Sequence, residues 1–346
     1  MSQDTARVEQ AALETDREPN KLLGLLRTSV GRNAGLVVAL LLICIVGAIT
    51  AGDRFTSTDN ALTILRLAAT IGVVSIGMTF VIIGGGIDLS VGAIVALSSV
   101  WCTTVSTQTM AADTHWSVMV LVALMVGAGC GLINGLLIAY GNIVPFIMTL
   151  AMLASARGLA EIISNKKTQI LGADGADVSG FKDFFNGEIL GVDVQIWVFV
   201  LVAVIGWILL NRTTFGRRTV AVGGNPEAAR LAGINVKRHT VYLYVLVGVC
   251  AGIAALLLVA KTTTGTSTHG NLYELDAIAA VVIGGTLLTG GRGTIFGTVL
   301  GVLIFQTLTN IFVLNNRSFS EQQLFKGVII VAAVLLQQRL ASRSST

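Results

Sequence analysis

Charge is what this chain has least of. Charged residues make up 12% of its 346 positions, against about 25% in an average soluble domain. Hydrophobic residues make up 53%, and the mean hydropathy is +0.80. That scarcity excludes a soluble protein, because apolar runs on this scale would need cores far larger than domains build. Cysteine is also sparse. Cys44, Cys102, Cys130 and Cys250 all fall inside apolar runs without C-x-x-C spacing, so they read as small packing residues rather than disulfides or ligands. His115, His239 and His269 lie far apart, without zinc spacing, so no metal site is expected. No G-x-x-x-x-G-K-[ST] occurs anywhere, which excludes nucleotide hydrolysis by a phosphate loop. No Ser/His/Asp or paired-carboxylate set suggests an enzyme. The basic residues lack interleaved aromatics, so nucleic-acid binding is not indicated.

What is there is a series of apolar runs of membrane-crossing length. A helix needs about 20 apolar residues to cross a bilayer. Candidate spans lie at 34–51, 62–83, 87–106, 117–139, 143–163, 194–211, 240–260, 276–290, 294–314 and 322–338. The expected fold is an all-α polytopic membrane protein of about ten helices, broken or short near its glycine-rich motifs. The first 32 residues are polar, with Arg7, Arg17, Lys21, Arg27 and Arg32, and the first apolar run, which starts near Asn33, shows no cleavage site and reads as an uncleaved span. With the N-terminus in the cytoplasm, about fourteen basic residues fall inside and about six outside, as the positive-inside rule asks. Both termini are then cytoplasmic. The expected organisation is a tail at 1–32, one transmembrane domain at 33–338 and a second tail at 339–346. A loop at 212–239 lies inside and a longer one at 165–193 lies outside. The outer loop reads either as solvated chain or as a docking surface for an external partner.

The inner loop carries VGGNPEAARLAGINVKR, residues 222–238. Asn225 is a good N-cap and Pro226 suits the first helical position. Glu227 and Arg230 complement the two ends of the helix dipole, and Gly233 suits the left-handed residue that closes a helix. Two turns are too few to be stable alone in water, so a partner is expected to hold this helix.

Within the spans the strongest feature is IIGGGIDLSVGAIVAL, residues 82–97. Gly84, Gly85 and Gly86 permit sharp backbone geometry and close helix approach. Asp88, with Ser90 beside it, reads either as the N-cap of the third span or as a substrate or proton site, since a carboxylate within a span is costly. Arg66 also sits in a span. Arg157 and Glu161 are four apart, a spacing that lets them pair on one helix face. Gly284 and Gly285 interrupt the eighth span. Asn134, Phe146, Thr149, Gly284, Gly285 and Asn310 are candidates to line a pathway. The polar ones, like Thr307, equally suit hydrogen bonds across packed helices. Ile-Gly-Gly recurs at Ile83–Gly85 and Ile283–Gly285; it reads as a helix-packing recurrence, with a diverged duplication left open.

Four segments resemble the membrane permease subunits of bacterial ABC sugar importers of the ribose/xylose type. They are VIIGGGIDLSVGAIVAL (81–97), PFIMTLAMLASARGLA (145–160), GRRTVAVGGNPEAARLAGINVKR (216–238) and YELDAIAAVVIGGTLLTGGRGTIFGTVLG (273–301). The resemblance implies a multi-pass subunit of the bacterial cytoplasmic membrane that forms the translocation path for a monosaccharide, a pentose such as ribose or xylose. It implies a second permease subunit, in a homodimer, a periplasmic or lipid-anchored sugar-binding protein, and a cytoplasmic ATPase that binds the ATP and Mg, with no cofactor in this chain. Asn225, Pro226, Glu227, Ala228, Ala229, Arg230, Leu231, Ala232 and Gly233 correspond to the coupling helix, the element that docks on the ATPase. The alternatives are a stand-alone secondary transporter or channel using Asp88, and the same importer class carrying a hexose, a sugar alcohol or a signalling furanoside.

Overall fold

The computed structural model describes residues 29–172 and 175–342. Most of the expected tail at 1–32 therefore lies outside the described residues. Fifteen helices and four two-residue strands are present among them. In chain order these are α1 (Ser29–Ala51), α2 (Asp53–Thr56), α3 (Thr58–Ile83), α4 (Val91–Cys102), α5 (Val105–Asp113), α6 (Ser117–Ala139) and α7 (Pro145–Ser164). Then come β1 (Gln169–Ile170), α8 (Ser179–Phe185), β2 (Glu188–Ile189), β3 (Val192–Asp193), α9 (Val194–Arg212), α10 (Thr214–Gly224) and α11 (Pro226–Leu231). The chain continues with α12 (Val236–Thr262), β4 (Thr264–Gly265), α13 (Tyr273–Ile283), α14 (Ile295–Leu314) and α15 (Phe319–Ser342).

Seven helices are long and apolar enough to cross a bilayer: α1, α3, α6, α7, α9, α12 and α14. An eighth is gained if α4 and α5, bent by 55° at a short break, count as one span. The expected eighth and tenth spans are not among them. Helix α13 has 11 residues, about 16 Å at 1.5 Å per residue, and stops at Ile283 where the glycines begin. Helix α15 carries Glu321, Gln322, Gln323 and Lys326 in its first half, which lowers its apolarity, and it continues to Ser342 through part of the expected C-terminal tail.

Helix α3 is the centre of the bundle. It is buried almost throughout from Ala68 to Ile83 and packs against α9, α12, α13 and α14. The tightest pair is α6 with α12. Gly127, Gly131 and Gly135 of α6 recur every fourth residue, and a methyl on Gly127 would stand 2.2 Å from the Gly248 carbonyl oxygen. Small residues at this spacing bring two backbones into contact, which is how helices associate where no hydrophobic drive acts between them. An exposed apolar surface lies elsewhere: Val200, Leu201, Val204, Ile205 and Ile208 form a stripe along α9.

The bundle has two distinct ends. One carries α10 and α11; the other carries the small sheet β1–β4, antiparallel with Gln169 opposite Gly265. The described residues of the segment 165–193 are packed onto this sheet end rather than merely solvated. Phe181 and Phe185 of α8 are buried against Trp116, whose ring stacks on Phe184 at 5.1 Å. Lys182 donates to the Leu171 carbonyl at 3.2 Å and Asn186 to the Ala260 carbonyl at 3.1 Å. The β2–β3 hairpin closes this end, and its Asp193 accepts from Arg66 at 2.7 Å.

Candidate functional site

Helix α11 forms as its residues dictate. Asn225 is extended, and its side-chain oxygen accepts the Ala228 amide at 2.9 Å. Pro226 opens the helix. Gly233 closes it at φ +82, and the Ile234 amide returns to the Ala229 carbonyl at 3.0 Å. Glu227 and Arg230 pair at 2.6 Å. The Arg230 hydrogen bond and charge hold the Glu227 carboxyl below its ordinary value, so at neutral pH the pair is fully ionised. Only Ala229 faces inward, 4% exposed, while Leu231 stands out at 77%. Ala228 and Ala232 are exposed beside it. The result is a knob with small residues, one apolar tip and a charged pair at its rim. A second cap follows, with Asn235 accepting from the Arg238 amide at 3.0 Å to start α12.

The inner loop is more structured than a single capped helix, because α10 fills its first half. Its last residues, Gly223 and Gly224, pack backbone to backbone on both helix breaks. The Gly291 amide donates to the Ile83 carbonyl at 2.8 Å, joining the loop before α14 to the end of α3. Gly223 lies against that same carbonyl: a methyl there would fall 1.7 Å from it and 2.8 Å from the Gly291 nitrogen. Gly290 abuts Gly85 and the Gly223 carbonyl. This three-way joint at Gly223 stands two residues before the α11 cap, Asn225. Beside it is a slot of about 140 Å³ lined by Gly84, Gly85, Gly86, Val222, Pro226 and Tyr244.

The two Ile-Gly-Gly sequences end their helices in the same way. Gly84 and Gly284 donate to the carbonyls four residues back, at 3.0 and 2.9 Å. Gly85 and Gly285 donate three residues back, both at 2.9 Å. Gly86 and Thr286 donate five residues back, at 2.9 and 3.1 Å. The φ angles at Gly85 and Gly285 are +83 and +86. The recurrence is a shared backbone turn that closes α3 and α13, and its first glycines also pack closely on neighbouring helices, Gly84 on Leu243 and Gly284 on Gly297.

Asp88 and Ser90 are both fully buried. Asp88 does not cap the first turn of α4. Its Oδ1 accepts the amide and the hydroxyl of Ser90, at 2.8 and 2.5 Å, a turn within the residues that precede the helix. Asn134 of α6 donates to the Ser90 oxygen at 2.9 Å. Tyr244 of α12 donates to the Ile87 carbonyl at 3.2 Å, tying the DLS segment to the bundle core.

The other candidate pathway residues are not brought together. Asn310 and Asn60 exchange amide hydrogen bonds at 2.8 and 3.1 Å between α14 and α3. Thr149 is buried and bonds within its own helix to the Pro145 carbonyl at 2.9 Å. Phe146 is exposed at the start of α7, and Gly284 packs on Gly297. No ion pair joins Arg157 to Glu161 among the described residues. Arg157 instead donates to the carbonyls of Ser267 and of His269, the latter at 2.8 Å. Its neighbour in space belongs to a segment more than a hundred residues away, which i,i+4 spacing cannot reveal. A second buried pair also escaped the sequence pattern: Lys326 of α15 meets Asp276 of α13 at 3.0 Å. Among the described residues no group of three or more His, Cys, Asp or Glu side chains is placed to hold a metal ion.

Comparison with known proteins matches this architecture to one family. The profile of the family described as "Branched-chain amino acid transport system / permease component" matches residues 60–334. The ribose import permease protein RbsC of Bacillus subtilis is 40% identical, over 94% of this chain and 98% of its own. The L-arabinose ABC transporter permease protein AraH of Azospirillum brasilense is 36% identical, over 88% of this chain and 87% of its own. The galactofuranose transporter permease protein YtfT of Escherichia coli is 35% identical, over 88% and 89%. No solved structure matches the chain significantly. By the extent of the family match and the identity to full-length relatives, the chain belongs to this family of ABC-type import permease components.

Proposed function

We propose that this chain is the membrane subunit of an ATP-driven monosaccharide importer, with ribose as its first candidate cargo, and that α11 is the element gripped by the ATPase. The cargo reading is supported by the ribose, arabinose and galactofuranose permeases among its relatives. The coupling reading rests above all on the joint at Gly223. The exposed knob of α11 follows directly on the contact between the two broken-helix regions, so a partner that moves the knob pushes on both breaks at once.

The end bearing α10 and α11 faces the cytoplasm in this reading. Arg212, Arg217, Arg218, Arg230, Lys237 and Arg238 cluster there with Glu227 as the only acid, as the positive-inside rule requires. The sheet end then faces the sugar-binding protein, and the chain sits in the bacterial inner membrane as one of two permease subunits, a homodimer in the simplest assembly. Partners that close on ATP carry α11 with them, and the bundle shifts between two openings through contacts that differ in the two states. This chain performs no chemistry on its cargo. Replacing Pro226–Leu231 with a Gly/Ser linker is expected to abolish ATP-driven uptake while the chain still inserts. Normal uptake by that variant would remove α11 from the coupling role. Asp88→Asn addresses the stand-alone alternative: loss of ion-driven uptake supports it, and undiminished ATP-driven uptake supports the importer.

A further inference from the structure

The stretch between α12 and α13, residues 263–272, reads TTGTSTHGNL. It enters the bundle from the sheet end without forming a helix. Gly265 packs against Thr103 and the Ser99 carbonyl at the end of α4, and Gly270 packs against Gly92 at its beginning. The segment therefore runs back along α4 for about 10–16 Å at 1.5 Å per helical residue. Its lower end is deep. Gly92 follows Ser90, which is bonded to Asn134, and Asn134 lies five residues, about 8 Å, from the far end of α6.

Helix α4, Arg157 of α7 and strand β1 hold the segment. The His269 ring meets the Ser99 hydroxyl at 3.1 Å, and Arg157 holds the Ser267 and His269 carbonyls. Thr268 and Asn271 are exposed, and Thr266, Ser267, Arg157, Glu161 and Glu274, the last with its Oε2 against Gly92, are half-buried. The Glu274 Oε2 atom is buried without a hydrogen-bond partner. Irregular backbone at membrane depth persists only where protein buries it or water reaches it, and ionisable side chains there face a bundle interior or a wet cavity. The exposed apolar stripe on α9 is the contrasting face.

We infer that Arg157, Glu161, Thr268, Asn271 and Glu274 line the aqueous route of the cargo, with 266–271 as its hydroxyl-bearing wall. This assignment rests on the importer reading for the nature of the cargo. Carboxylates, a guanidinium, an amide and hydroxyls side by side match a neutral polyhydroxylated ring, whose every hydroxyl both donates and accepts. The set differs from the pathway candidates the sequence suggested, which the fold scatters.

The test is accessibility together with transport, in the complete complex with its ATPase and binding protein. Asn271→Cys and Thr268→Cys are made in a chain whose Cys44 is replaced by serine, the other three thiols being buried. Both are expected to react with a membrane-impermeant thiol reagent and to be protected by D-ribose, whereas Leu201→Cys on the α9 stripe stays unreactive. Thr268→Val and Asn271→Leu are expected to lower ribose uptake about tenfold or more, as when a polar cargo loses its partners, and Thr268→Ser to restore it. Unreactive cysteines at 268 and 271, or wild-type uptake kinetics in both apolar variants, would overturn the assignment. If the wild-type complex moves no sugar on ATP, the importer reading fails instead, and the labelling pattern still decides whether this wall is wet.

Discussion

At the scale of single residues, the local chemistry of α11 makes definite demands. Asn225→Ala removes the oxygen that satisfies the Ala228 amide, a loss of about 1 kcal/mol for a typical N-cap. On a six-residue helix that loss is expected to fray the knob and reduce uptake, while Asn225→Asp retains it. Leu231→Asp places a charge on the exposed apolar tip and is expected to abolish co-purification with the ATPase without affecting insertion. The Glu227–Arg230 pair gives a sign that can be checked. Because the folded carboxyl titrates below its ordinary value of 4.5, the pair's contribution is fully present above that value and is lost only as pH falls below it. Uptake measured from pH 6 to 8 is therefore expected to show no inflection that Glu227→Gln removes. In the bundle, Lys326→Met leaves Asp276, whose side chain is 14% exposed, without its cation. Breaking such a pair from one side costs about 3–5 kcal/mol, and a thermal-shift assay in detergent should show the loss, with the Lys326→Met, Asp276→Asn double variant recovering most of it.

At the scale of elements, the glycine joint carries the account. Gly223→Ala is expected to block uptake, because its methyl would fall on the Ile83 carbonyl and close to the Gly291 nitrogen, and backbone atoms have no rotamer to yield. Gly224→Ala is the matched control: a methyl there meets nothing within 4 Å, and uptake is expected to remain near wild type. Equal loss in both would point to a general intolerance of this turn rather than to the joint. The same comparison marks what a sequence discloses. Asn225, Pro226 and Gly233 declare themselves because capping is chemistry between neighbours in the chain. Gly223 does not, because its importance comes from Ile83 and Gly291, which only the fold brings to it. Arg157 was misread for the same reason: spacing offers Glu161, but the three-dimensional partner is the backbone of the 267–269 segment. Helix α10 went unnoticed because it is short and polar, and the apolar runs around it dominate any hydropathy pattern.

At the scale of the whole molecule, the membrane class was plain from apolar runs alone, and seven of the ten expected spans are helices long and apolar enough to cross a bilayer, eight if α4 and α5 count as one. The exceptions are instructive. Helices α4 and α13 have 12 and 11 residues, about half the length that a bilayer requires. Each continues into irregular chain, 84–90 before α4 and 263–272 before α13, and their first residues lie close together across Gly92 and Gly270. Both half-helices start inside the membrane and both reach the joint beside α11, α4 through the break that precedes it at 84–90 and α13 through the break that follows it at Gly284–Gly291, which connects the exposed knob to the polar wall. Hydropathy cannot distinguish such an arrangement from two ordinary spans, since the missing halves are rich in Gly, Thr and Ser and hold one carboxylate between them, Asp88.

The most direct measurement is sugar accumulation in sealed vesicles holding this chain alone, or together with its ATPase and binding protein. The account predicts uphill uptake only in the complete set, only with ATP, and none when Pro226–Leu231 is replaced by a flexible linker. Concentrative uptake by the chain alone, driven by an ion gradient and abolished by Asp88→Asn, would contradict it.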